Sequence, residues 1–264
     1  MLAARSSQSL DAVAAECAAL GAEAVAVPAD VRSDEQVATI VAVAVARFER
    51  IDVWVGAASV FAYGTFEQLP PEVFREVIEV NLLGQARGAR AVLPQLRAQG
   101  GGTIIFLGSV YSRTATPYVS AYLTSKHALL GMAESLRQEV EPDGIHVCTV
   151  LPVTIDTPIY QHAANHLGRR VRPLPPLVAP ERVARTILRA ADHPRPWRYA
   201  GWVQRFAIPA HRWAPRLAGR IARTVMDRIA VQPEPAPPTD GTLYEPRPES
   251  NAVSGGWRRR ARRR

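Results

Sequence analysis

The chain has 264 residues and a mass of 28.8 kDa, with 47% hydrophobic and 21% charged residues, values of an ordinary globular protein with one full core. Its net charge of +8 is not spread evenly: residues 1–193 carry 17 basic and 19 acidic groups, residues 194–230 eight Arg against one Asp, and residues 231–264 seven Arg against four acids. A uniformly basic globule is thereby excluded, and the charge says nothing about the partner of residues 1–193.

From residue 6 to about 150, helical periodicity alternates with short apolar runs, which predicts an α/β fold with a parallel sheet. Met1 to Arg5 reads as the end of a strand feeding a helix. Ser6 to Leu20 is that helix, ended by Gly21, and Ala24 to Val27 is a buried strand. Ser33 is a predicted N-cap for a helix through Val37 to Phe48. Val53 to Ala57 is the next strand, and Pro70-Pro71 opens a long helix from Glu72 to Gln99, broken by Gly100 to Gly102. Thr103 to Leu107 is a strand, Ser120 to Glu141 a helix, and Ile145 to Val150 a strand closed by Pro152. Each strand is apolar on both sides, as helices on both faces require. Residues 158–180 read as a loop-rich insert, and Glu181 to Ala191 as a last core helix.

Three regions follow: residues 1–192 as the α/β domain, 193–230 as a basic helical extension, and 231–264 as a Pro/Arg-rich tail expected to be disordered. The extension carries Trp197, Trp202 and Trp213. On a helical wheel, Arg216 to Ala230 puts Leu217, Ala218, Ile221, Ala222, Val225, Met226 and Ile229 on one half and Arg216, Arg220, Arg223 and Asp227 on the other. That pattern suits a helix on an anionic membrane surface, or one whose apolar face packs on the domain or on a second subunit in a homo-oligomer. The terminal Arg run reads as a solvated tail, with no specific nucleic-acid motif beside it. Cys17 and Cys148 have neither metal-ligand spacing nor the density of a disulfide scaffold. No apolar run reaches the roughly 18 residues of a spanning helix. A cytoplasmic location, with membrane association as the alternative, is the expectation.

The chain's single lysine, Lys126, stands four residues after Tyr122 on a predicted helix, so the two side chains share one face. An ammonium beside a phenol favours the phenolate. Ser109 follows the strand Thr103 to Leu107, at the strand end where open α/β sheets bind ligands; it also reads as a turn residue or helix cap.

Ser109, Tyr122-Leu123-Thr124-Ser125-Lys126, Asn81 within Val80-Asn81-Leu82-Leu83-Gly84, Leu151-Pro152 and Asp156-Thr157-Pro158 together resemble the short-chain dehydrogenases and reductases, over residues 1 to about 192. The resemblance implies a Rossmann-like doubly wound parallel sheet. It also implies an oxidoreductase that interconverts a carbonyl and an alcohol, on a small apolar substrate, using NADP(H), with NAD as the alternative and no metal. Tyr122 would be the general acid or base, Lys126 would lower its pKa and hold the nicotinamide ribose, and Ser109 would polarise the substrate oxygen. Asn81 would hold a water that links Lys126 to solvent. Asp30 and Val31 would contact the adenine, Arg5 the 2′-phosphate, and Thr157 the carboxamide, with Ala57 and Pro152 beside them.

Departures from the pattern stand next to these matches. Gly56-Ala57-Ala58-Ser59 replaces the family's Asn-Asn-Ala-Gly, Val153 replaces the glycine after Pro152, and the strand, glycine-rich turn and helix that open the family's fold are missing ahead of Met1. A gene start placed too far downstream explains this better than true truncation, because a sheet without that strand would expose apolar edges. A catalytically silent relative, serving as a membrane-associated or scaffolding module, is the competing function.

Overall fold

A computed structural model describes residues 1–262, with side chains to residue 259. The chain opens with β1 (Leu2–Ala4) and α1 (Ser7–Ala19), whose first turn is capped by the Ser6 hydroxyl. β2 (Ala26–Pro28) runs parallel to β1, and α2 (Asp34–Phe48) is capped by Ser33, as its sequence predicts. β3 (Val53–Gly56) and the short β4 (Ala62–Tyr63) follow. The long helix expected from Glu72 is interrupted. α3 (Pro71–Ile78) and α4 (Gly84–Ala98) are joined by a π-turn over Glu79–Leu83 that carries Asn81.

β5 (Gly102–Leu107), α5 (Ser120–Val140) and β6 (Ile145–Pro152) form the centre of the molecule. α5 buries a stripe of Tyr122, Lys126, Leu129 and Ala133, spaced four, three and four residues apart as one helical face demands. The insert at 158–180 is not all loop: it holds β7 (Ala164–Asn165), which pairs with β4, and β8 (Arg169–Val171). α6 (Pro180–Asp192) precedes β9 (Trp197–Ala200), α7 (Gln204–Trp213), α8 (Pro215–Val225), β10 (Val231–Pro235) and α9 (Trp257–Arg262).

β3, β5, β6 and β9 form a parallel four-stranded sheet in that order. On one face Ile104 and Phe106 pack against Val92 and Leu96 of α4 and Leu129 and Ala133 of α5. On the other, Ile105, Cys148 and Val150 pack against Val183 and Ala190 of α6. The fold is therefore the Rossmann-like α/β arrangement with helices on both faces. The β1–β2 pair stands apart from this sheet. A gap of about 240 Å³ separates them, lined by Met1 and Ala3 on one side and Val53 to Gly56 on the other.

Three expectations for the C-terminal third need correction. The boundary at residue 192 falls inside the sheet, because β9 pairs with β6 from Thr149 to Pro152. The helix expected over 216–230 ends at Val225 and continues as a π-turn, Met226–Ala230, whose Met226 and Ala230 are buried in the domain core. Its apolar face is thus divided: Met226 and Ala230 face the protein, while Leu217 and Ile221 are 58% and 55% exposed. The tail from 231 is not disordered through the described residues. β10 pairs antiparallel with β8, and Leu243 is 1% exposed in the main core. Composition misleads here because one apolar anchor and a set of backbone hydrogen bonds outweigh many Pro and Arg residues. Residues 263–264 lie outside the described residues. Among those described, no helix is long and apolar enough to cross a membrane.

Candidate active site

The C-terminal ends of β3, β5 and β6 open into a cavity of about 180 Å³, where a parallel sheet presents its ligand site. α5 delivers Tyr122 and Lys126 to it, the β5 end delivers Ser109, and the end of β6 and the segment after it deliver Pro152 and Thr157. Ala57 reaches the same cavity from the β3 end. Of the expected site residues, these six converge.

Ser109 both caps and faces the cavity. Its Oγ accepts from the Tyr111 amide at 3.2 Å, and its own amide donates to Ser112 Oγ. The hydroxyl proton is left to donate outward. Tyr122 is wedged against Phe61, ring centroids 4.2 Å apart, with Tyr111 edge-on at 6.3 Å. Lys126 is 2% exposed; its Nζ donates to the Leu107 carbonyl at 2.8 Å and lies 5.4 Å from the centroid of the Tyr122 ring.

Burial decides the titration of both groups. It lowers the Lys126 pKa to about 7 and raises that of Tyr122, against which the hydroxyls of Ser109 and Ser59 pull. The expectation that Lys126 lowers the Tyr122 pKa is therefore not what this environment produces: in a site this dry, a charge on either group is costly.

Asn81 does not line the cavity. Its Oδ1 accepts from the Val60 amide at 2.8 Å, and its Nδ2 donates to the Val60 carbonyl at 2.9 Å and to Ser125 Oγ at 3.2 Å. With both amide protons used, the side chain ties the β3–β4 loop to α5. Gly56 has a similar structural duty, since a Cβ there would lie 2.1 Å from Gln85 Oε1, and Gln85 must pass to bond the Ala58 carbonyl at 2.8 Å.

Arg5, Asp30 and Val31 lie outside the cavity, at the ends of the β1–β2 pair. Asp30 is bound by Arg32 at 2.6 Å, and Arg32 also reaches Glu76 at 2.7 Å. Burial opposes ionisation of Asp30, but the Arg32 hydrogen bonds outweigh it and its pKa is lowered. Val31 packs against Gly84. The Arg5 guanidinium donates to the carbonyls of Thr242, Leu243 and Tyr244 at 2.7 to 3.1 Å; burial lowers its pKa.

Ser59 and Tyr160 line the cavity although the sequence did not single them out for it. The Ser59 hydroxyl is buried beside the Tyr122 phenol, whose pKa it pulls down against burial. Its signal was present in Gly56-Ala57-Ala58-Ser59, where a departure from the family pattern placed a hydroxyl at the mouth of β3.

The short chain dehydrogenase family model matches residues 1–167. The chain is 31% identical over 248 residues to the uncharacterised oxidoreductase YxnA of Bacillus subtilis, covering 92% of this chain and 70% of that one. It is 35% identical over 145 residues to an uncharacterised NAD-dependent oxidoreductase of Mycobacterium tuberculosis, covering 54% of this chain and 53% of that one. The chain thus spans about half the length of several curated relatives it matches. Among solved structures, an alcohol dehydrogenase of Thermococcus sibiricus complexed with 5-hydroxy-NADP superimposes with a TM-score of 0.66 at 26% identity, over 75% of this chain and 83% of that one. The chain belongs to the short chain dehydrogenase family of oxidoreductases.

Proposed function

We propose that the protein interconverts a carbonyl and an alcohol with NADP(H), Tyr122 serving as general acid in reduction and general base in oxidation. The observation that carries this reading is the convergence of Tyr122, Ser109 and Lys126 on one cavity from two elements of the fold. A nicotinamide nucleoside suits the donors found there. Lys126 spends one of its three N–H bonds on Leu107, which leaves two for ribose hydroxyls, and the Ser59 hydroxyl lines the same cavity. Thr157 and Pro152 line the same end.

The bound nicotinamide supplies or accepts the hydride. In reduction, Tyr122 gives its phenolic proton to the carbonyl oxygen as the carbon gains the hydride, and in oxidation it takes that proton back. A raised pKa keeps Tyr122 protonated and ready to donate. Ser109 donates a hydrogen bond to the same oxygen and stabilises the charge developing on it. Lys126, poised near neutral pH, would hold the ribose and is the proton source that restores the Tyr122 phenol. Phe61, Tyr160 and Met226 exclude water around the reacting carbon.

Arg5 supports the phosphorylated cofactor: its hydrogen-bond partners are carbonyls, and the nearby Asp30 carboxylate that acts on its charge is itself hydrogen-bonded by Arg32. The NAD-dependent relative argues for the alternative, and the ratio of NADPH to NADH efficiency, with Arg5→Ala expected to lower it, separates the two. Turnover of Tyr122→Phe with NADPH and a panel of ketones tests the mechanism. A loss of about 10²–10⁴-fold is expected; unchanged activity overturns the assignment.

A further inference from the structure

A second cavity, of about 330 Å³, lies beneath the α7–α8 hairpin. Val110, Tyr111, Val153, Thr154 and Leu174 line both it and the Tyr122 cavity, so the two chambers share one partition. Its roof is built mainly from small residues, Ala207 and Ala210 on α7 and Ala218, Ala222 and Val225 on α8, with His211 of α7 beside them. Ile221, 55% exposed, lines the chamber together with the exposed Ala210, Pro175 and Pro176, so the chamber reaches the surface along that rim. Small residues on facing helices hold space open, where larger ones would close it by packing.

We propose that this chamber binds the apolar chain of the substrate, whose carbonyl or carbinol carbon sits at Tyr122 and Ser109. The substrate class is a ketone or secondary alcohol borne near one end of an unbranched alkyl chain. This rests on the oxidoreductase reading above and extends it. Three features argue for a chain over a compact apolar group. The chamber adjoins the reacting groups along the side it shares with the Tyr122 cavity, it opens at a rim that includes Ala210 and Ile221, and no Asp, Glu, Lys or Arg lines it, the imidazole of His211 being part of the lining. Val153, where a glycine was expected from the family pattern, stands in the partition and puts a branched side chain between the two chambers, which disfavours a bulky ring there.

The test uses the full chain in two assays. In the first, kcat/KM is measured with NADPH for methyl ketones from butanone to dodecanone. Each added methylene that enters the chamber should raise kcat/KM about fourfold until the chain emerges at Ile221. Ala218→Phe and Ala222→Leu, which fill the roof without touching the Tyr122 cavity, should flatten that series and leave butanone turnover unchanged, which also certifies that the variants fold. A flat series in the wild type overturns the proposal. In the second assay, binding of cis-parinaric acid, a fluorescent long-chain fatty acid, is read without turnover. It should be weakened at least tenfold by Ala218→Phe and unaffected by Tyr122→Phe. Binding of the probe in the chamber by a protein that reduces no ketone would sustain the chain site and remove the oxidoreductase reading. Reduction of butanone with neither a chain-length dependence nor probe binding would do the reverse.

Discussion

Lys126 and Tyr122 share one buried face of α5, the lysine Nζ 5.4 Å from the centre of the phenol ring, and burial works against charge on both. The Leu107 carbonyl takes one ammonium proton at 2.8 Å; it can orient the charge but not cancel it.

A pH dependence of stability follows. The folded Lys126 pKa is depressed to about 7 from 10.5, so between those values the unfolded chain holds a proton that the folded chain does not. Stability therefore rises with pH across this window, and the gain is absent below about 7. Relative to Lys126→Met, whose side chain cannot titrate, the wild-type unfolding free energy should climb by up to about 1.4 kcal/mol per pH unit between roughly pH 7.5 and 9.5. Urea midpoints at several pH values measure it. A constant gap between the two proteins would show that Lys126 keeps its ordinary pKa.

Ser109 carries two duties that substitution can separate. Ser109→Ala removes both the cap on the Val110–Ser112 turn and the donor to the substrate oxygen. Stability should fall by about 1 kcal/mol, while kcat falls about 10²–10³-fold. Ser109→Gly should lose the activity equally, with a smaller loss of stability. Activity that follows stability in the two variants would reduce Ser109 to a turn residue.

Asn81→Ala leaves the buried Val60 amide and carbonyl without their side-chain partner. Orphaned buried groups cost about 1–3 kcal/mol each, so a thermal melt should register several degrees of loss. Because Val60 follows Ser59 directly, kcat should fall too, with the pH optimum unmoved. A shifted pH profile in a variant of undiminished stability would instead restore the proton-relay role.

What the sequence made legible follows from the range of each interaction. Tyr122 and Lys126 are four apart on one helix, and Ser109 ends an apolar strand; such local spacings survive folding unchanged. The π-turn that aims Asn81 at Val60 has no periodic signature, since Glu72 to Gln99 reads as one helix. Arg5 was expected to be a phosphate-binding cation from its place in the sequence alone, but the carbonyls that hold it come from residues 242–244, at the other end of the chain. No local pattern announces such a contact. The same blindness made the tail look disordered, because its composition is poor in apolar residues and its stability rests on very few of them.

The tail offers the sharpest contest between composition and structure. Leu243 is its deepest side chain, packed in the core that holds Tyr122 and Phe61. Farther along, Asp156 accepts from the amides of Trp257 and Arg258 and from Ser254 Oγ at 2.8 to 3.3 Å. Glu249 lies exposed between these two anchors, so cleavage after it by a glutamate-specific protease requires local release of the segment. Leu243→Ala removes the first anchor at a cost of about 2–5 kcal/mol. When reclosing outpaces cleavage, the rate follows the population of the released form, and even the lower end of that range is more than tenfold. Cleavage after Glu249 should accordingly be slow in the wild type and at least tenfold faster in Leu243→Ala. Asp156→Asn, which weakens the second anchor and leaves the first, should give a smaller increase. A tail that were a free chain would be cut rapidly, and at the same rate, in all three proteins.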